Sequence, residues 1–156
     1  HMMADDAAKR EDGEERVADL MREGEERLQV LKELNAAIDQ TGNAVRAVQE
    51  VQLRFLMAAS NAGVLDNALD EQALRALMEQ SEDELRIQLK AGALAGAAYT
   101  YADIPTEDLK AYRDALEHPQ MQRVYELMNA LQFEIMAGRF ERLAGRMADL
   151  HPGQEL

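Results

Sequence analysis

Apolar residues recur at steps of three and four along most of the chain, and no stretch alternates cleanly between apolar and polar positions. That is the period of a helix and not of a strand. Ala, Leu, Glu, Gln, Met and Arg are abundant, and all are good helix formers. Val17 and Leu20 open a stripe that Leu28, Leu31, Leu34 and Ile38 continue. Thr41-Gly42 interrupts it, and Asn43 suits the start of a new helix. A seven-residue register nevertheless carries across: Leu31, Ile38, Val45 and Gln52 form one set, and Leu34, Thr41, Val48 and Phe55 the other. The pattern therefore predicts a long first helix from near Glu14 to about Ala62, kinked or continuous at 41–42 and ended by Gly63.

Residues 64–69 read as a connector. Asp70 is a good N-cap for a short helix carrying Leu74, Leu77 and Met78. Ser81-Glu82-Asp83-Glu84 has the spacing of a capping box, either opening a helix or riding on a continuous one. Leu85, Leu89, Gly92 and Gly96 then fall on one face, where glycines four apart would admit a close neighbour. Asp103-Ile104-Pro105-Thr106-Glu107-Asp108 is a stop followed by a start. Pro105 disfavours helix at Ile104, Thr106 is placed to cap, and the two acids suit a helix N-terminus. Leu109, Tyr112 and Leu116 give that helix its inner face, to about Glu117. Pro119 fits the first turn of the last helix. Two stripes mark this long helix, each expected to pack inward: Met121, Val124, Met128, Leu131 and Ile135, then Met136, Phe140, Leu143, Met147 and Leu150. The change of face near Gly138 predicts a bend or two packing partners. His151-Pro152-Gly153 ends it. The expected fold is all-α: a compact, mostly antiparallel bundle of five or six helices with a long first and a long last helix.

Charge changes the picture at one end. The 156 residues carry a formal net charge of −13, and residues 1–26 hold ten acids against four bases. Such a run offers little to bury, so residues 1–13 are read as a tag remnant followed by an acidic flexible leader. Residues 14–150 are then one helical domain, and 151–156 a short tail. Met3-Ala4 fits the end of a signal-peptide cleavage site, with export to follow. The alternative is that Met3 is the initiator and the protein is cytoplasmic. The longest weakly polar run, Ala91–Ala98, is far short of the roughly 20 residues a membrane-spanning helix needs. The acid excess argues against nucleic-acid binding, which needs clustered Lys and Arg. The absence of cysteine excludes disulfides, a thiol nucleophile and cysteine zinc sites.

Candidate chemistry is sparse. No metal-binding motif or phosphate loop is present, and no cofactor is expected. Asp114 and His118 stand four apart, either as a surface pair or as an acid–base dyad lacking a nucleophile. Seven methionines beyond the first residues (Met21, Met57, Met78, Met121, Met128, Met136 and Met147) follow the helix stripes, so core filling is expected over a soft-metal site. Tyr99, Tyr101, Tyr112 and Tyr125 bracket the Ile104–Pro119 corner with His118. These five residues are the candidate cluster, either stitching the corner or rimming a binding surface.

The same corner resembles the bacterial family called Domain of Unknown Function 2059, through Tyr101, Ile104-Pro105-Thr106-Glu107-Asp108-Leu109, Tyr112 and Glu117-His118-Pro119. Gln120-Met121 follows Pro119 where the family carries glycine, and Ala115 stands where it often has phenylalanine. The resemblance implies an all-helical fold and export to the periplasm, and it implies no activity. The leading functional expectation is a non-catalytic periplasmic protein that binds another protein or the envelope. A small-molecule or lipid carrier with a pocket between helices is the alternative. An enzyme using Tyr112, Asp114 and His118 is the third reading.

Overall fold

The computed structural model describes residues 2–39, 42–63, 65 and 69–150. Thr41, most of the 64–69 connector and the 151–156 tail lie outside the described residues, as do the side chains of Met3, Ala4 and Leu150. Seven helices and no strand occur among the described residues: α1 (Met2–Glu23), α2 (Glu25–Ile38), α3 (Ala44–Asn61), α4 (Glu71–Gln80), α5 (Glu82–Thr100), α6 (Thr106–Leu116) and α7 (Pro119–Leu150). The all-α class and the long last helix are as the periodicity predicts.

The long first helix is replaced by three. At Gly24 the backbone leaves the helical region (φ −134°, ψ 39°), although Gly24 N–H still donates to Leu20 O at 2.9 Å and Leu28 N–H to Gly24 O at 3.0 Å. The second break falls between Ile38 and Ala44. Gly42 adopts φ 62°, which a side chain disfavours, and its N–H donates to Asp39 O at 3.1 Å. The heptad register does not carry across this break: α3 buries Val45, Val51, Leu53 and Ala59, while Gln52 is exposed. Residues 5–13, expected to belong to a flexible leader, are helical and lie in α1. The correction has a local cause. Asp5–Lys9, Arg10–Glu14 and Asp12–Arg16 are ion pairs four apart, and Asp19–Arg22 is a pair three apart. Pairs of this spacing support a helix modestly. Gly13 then lies buried against Ala95 of α5.

The other punctuation falls largely where expected. Asp70 Oδ1 accepts from Ala73 N–H at 2.7 Å. Gly63 follows α3 with φ 70°. Pro119 opens α7. Thr106 does not cap α6: it is already the first helical residue, and its Oγ1 accepts from Arg27 instead. Ser81 ends α4, and its hydroxyl donates back to Met78 O at 3.1 Å.

Contacts divide the described chain into two compact units. The first comprises residues 1–42 and 86–126. Its core is Val30, Leu31, Leu34, Ala37, Ala97, Ala98, Leu109 and Leu116, with Val17, Leu20, Tyr101 and Tyr125 packed around it. Glu26–Lys110 at 2.6 Å and Glu33–Arg113 at 2.5 Å join α2 to α6, which run in the same direction. On α5 the buried residues are Ala95, Ala97 and Ala98. Gly92 and Gly96 lie about half a turn away with nothing near them, so the close approach expected at these glycines is made by Gly13 instead.

The second unit comprises residues 43–85 and 127–156. There α3 and α4 form an antiparallel hairpin. Gln49 Nε2 donates to Met78 O at 2.8 Å, Arg75 pairs with Glu50 at 3.1 Å, and Leu69 N–H donates to Ser60 Oγ at 3.0 Å. Burial pushes the Glu50 carboxyl up, but hydrogen bonds from Arg75 and Arg54 outweigh it and hold the carboxyl below its ordinary range. Phe55 of α3 meets Phe140 of α7 edge to face at 5.9 Å, and Arg54 lies over the Phe133 ring at 5.4 Å.

Candidate functional site

Two regions carry the candidate chemistry, one in each unit. In the first unit, α5 ends at Thr100 and the chain turns through Tyr101–Pro105 into α6. The carbonyls of such a turn lie outside any helical ladder. Arg27 of α2 reaches three of them. Its guanidinium donates to Tyr101 O at 2.5 Å, Ile104 O at 2.7 Å, Ala102 O at 3.3 Å and Thr106 Oγ1 at 3.2 Å. Gln122 works similarly at the next corner, its amide donating to Ala37 O at 2.8 Å and to Leu116 O. Sequence reasoning missed both residues. A signal existed for Arg27, which stands seven residues from Leu20 and from Leu34, inside the apolar register.

The structure brings three of the four tyrosines together. The Tyr101 and Tyr112 rings meet edge to face at 6.1 Å, and the Tyr112 and Tyr125 hydroxyls are 3.3 Å apart. Tyr99 takes no part in these contacts and is partly exposed on α5. His118 belongs to the start of α7, where its Nδ1 accepts from Gln120 N–H at 3.3 Å and its carbonyl from Gln122 N–H at 3.0 Å. The Asp114 carboxylate is held by Arg113 at 2.7 Å, so Asp114 and His118 each have a different partner. The hydrogen bond with Tyr112, followed by burial, raises the Tyr125 hydroxyl above its usual value. A raised hydroxyl is a poorer nucleophile source at neutral pH. The geometry is that of a corner tied from three sides.

Beside this corner lies an open cleft of about 330 Å³, lined by Arg16, Asp19, Leu20, Glu23 and Gly24 among others. Its wall is charged, and Arg16 and Asp19 are already paired with Asp12 and Arg22. No group of three His, Asp or Glu side chains suited to a metal occurs among the described residues. No helix among them is long and apolar enough to cross a membrane.

In the second unit, α7 is where the structure departs furthest from the stripes. Its buried residues are Ala137 and Ala144, with Phe133 half-buried beside them. Of the large apolar residues expected inside, Met121, Val124, Met128, Leu131 (64%), Ile135, Met136, Phe140 and Leu143 are exposed and Met147 is half-buried; Leu127, outside both stripes, is 57% exposed. At 100° per residue, the Leu131–Ile135 side lies about half a turn from the alanines. The helix runs unbroken past Gly138, so no bend turns the stripes inward. The side that meets α3 is the one carrying Ala137 and Ala144 flanked by Phe133 and Phe140, which touch Arg54 and Phe55. Met21, Met121, Met128 and Met136 are exposed too, so core filling accounts for only part of the methionines.

Comparison with known proteins finds no matching family model, no matching curated protein and no matching solved structure.

Proposed function

We propose that the chain is a non-catalytic helical interaction module, and that the outer face of α7 is its docking surface. The observation behind this reading is the set of six large apolar side chains left exposed between Leu127 and Leu143, namely Leu127, Met128, Leu131, Ile135, Met136 and Leu143, with Phe140 taken up by Phe55. Water-facing apolar residues scattered singly are ordinary, whereas a contiguous patch of several hundred Å² marks a contact surface. A helix presenting residues three and four apart is the usual form in which such a face enters a partner. The catalytic alternative loses its candidate groups to structural bonds, since Asp114, His118, Tyr112 and Tyr125 all have partners within the corner. The carrier alternative is poorly served by a charged open cleft. A periplasmic location forms part of the proposal and rests on the resemblance at the Tyr101–Pro119 corner alone.

The test uses the full chain as bait in native extract, as wild type and as Leu131→Glu. Capture of a specific protein by the wild type, lost in the variant, is the expected result. Identical captures on both baits would overturn the reading. Fractionation of the native cells checks the address, and recovery in the cytoplasmic fraction would refute export.

A further inference from the structure

Within the second unit the outer side of α7 changes character along its length. Met128, Leu131 and Ile135 are exposed first, and Arg139, Arg142 and Arg146 are exposed after them. The steps between these six are three or four residues throughout, so at about 100° per residue they fall within about 80° of arc. One stripe therefore presents apolar side chains over roughly 10 Å and guanidinium groups over roughly 10 Å more.

The arginines of this stripe differ from others in the chain. Arg54, Arg75 and Arg113 each hold at least one carboxylate. Arg139, Arg142 and Arg146 pair with no acid among the described residues. Glu134 and Glu141 are the acids of residues 127–147, and both turn to Arg54 of α3, at 3.5 and 3.9 Å. Neither Arg139 nor Arg142 has an acid three or four residues away, whereas Arg142 stands three from Arg139 and four from Arg146. Like charges at these spacings destabilise a helix. An anionic partner relieves that repulsion.

The stripe also gives the partner's form. Apolar side chains at one end and carboxylates at the other, both at steps of three and four, describe an amphipathic helix of about five turns. Guanidinium groups suit carboxylates, which they grip with two parallel hydrogen bonds. An anionic membrane fits less well. A helix lying in a bilayer interface keeps its cations on the polar face, beside an apolar face. Here the arginines continue the apolar stripe itself, and a chain of net −13 is repelled by an anionic surface.

We infer that this stripe takes an acidic amphipathic helix of another protein, whose apolar residues cover Met128, Leu131 and Ile135 and whose carboxylates reach Arg139, Arg142 and Arg146. The inference rests on the docking-surface reading and adds the partner's chemistry. The probe is a synthetic helical peptide of about 19 residues, with leucine placed to meet the apolar half and glutamate to meet the arginines. A second peptide carries lysine in place of glutamate, and each is made in both chain directions. Fluorescence anisotropy with the full chain is expected to show the glutamate peptide bound at least ~10-fold more tightly, with the gap closing as salt rises. The net charge of −13 by itself favours the lysine peptide, so this order is diagnostic. Arg139→Glu, Arg142→Glu and Arg146→Glu together are expected to reverse it, while Arg10→Glu, at an exposed arginine of α1, leaves it as it was. Circular dichroism checks folding; if the triple variant does not fold, Arg142→Gln replaces it and is expected to weaken the glutamate peptide at least ~3-fold. Equal binding of the two peptides, or an order unchanged by the arginine variant, overturns the acidic partner; where Leu131→Glu still abolishes that binding, the docking surface stands. Absence of binding by either peptide at about 1 mM overturns the inference too, and the extract capture then judges the docking surface separately. Arginine-dependent binding to phosphatidylcholine–phosphatidylglycerol vesicles without a peptide preference gives the face to a membrane and overturns the inference. So does self-association of the chain that the arginine variant abolishes.

Discussion

At Arg27 one guanidinium meets four oxygens spread over residues 101–106, in the turn between α5 and α6 whose carbonyls lie outside any helical ladder. The two are 74 to 79 residues apart in sequence, so no local rule pairs them. Replacing the side chain strands oxygens that burial keeps partly from water. Arg27→Met is expected to cost about 1.5–3 kcal/mol in urea unfolding, the range for hydrogen bonds to a charged group. Arg27→Lys should recover only part, since an ammonium cannot span the same fork. A loss below about 0.5 kcal/mol for Arg27→Met would show that water replaces the clamp. Residues that act on their own neighbours were legible in the sequence. Asp70 caps the helix that follows it, and Pro119 opens its own. Thr106 was misread for the same reason Arg27 was missed: its hydroxyl answers a distant guanidinium and not its own helix.

Among the elements, periodicity located the helices but not the side each one buries. On α5 the glycine face and the alanine face are both regular in sequence, and only the alanine face is buried. On α7 the large residues make the stronger pattern, yet Ala137 and Ala144 are the ones enclosed. Hydrophobic size predicts burial for a helix with one neighbour on its apolar side. It fails where small residues let a helix come closer on the other side. The glycines test this directly. A Cβ on Gly13 would overlap the Ala95 carbonyl, with the carbonyl carbon only 2.8 Å away and fixed within a helix. Gly13→Ala is therefore expected to destabilise by about 1–3 kcal/mol. Gly92→Ala meets nothing within 4 Å and should stabilise by about 0.5–1 kcal/mol through helix propensity. Thermal unfolding of the two variants gives shifts of opposite sign if the α1–α5 contact is as described. The same sign for both would place the close approach elsewhere.

For the whole molecule, the division into two units is the property least visible in the sequence, because its boundaries include positions inside α5 and α7. The units differ in what they enclose. The first buries Leu31, Leu34, Leu109 and Leu116 almost completely. In the second the buried residues among those described are Val45, Val51, Leu53 and three alanines, and α4 has no buried residue at all. Local opening is cheapest where least apolar surface is lost. Amide hydrogen exchange should therefore find the slowest protons in α2 and α6 and the fastest helical protons in α4. Protection in α4 outlasting that in α6 would contradict the burial pattern.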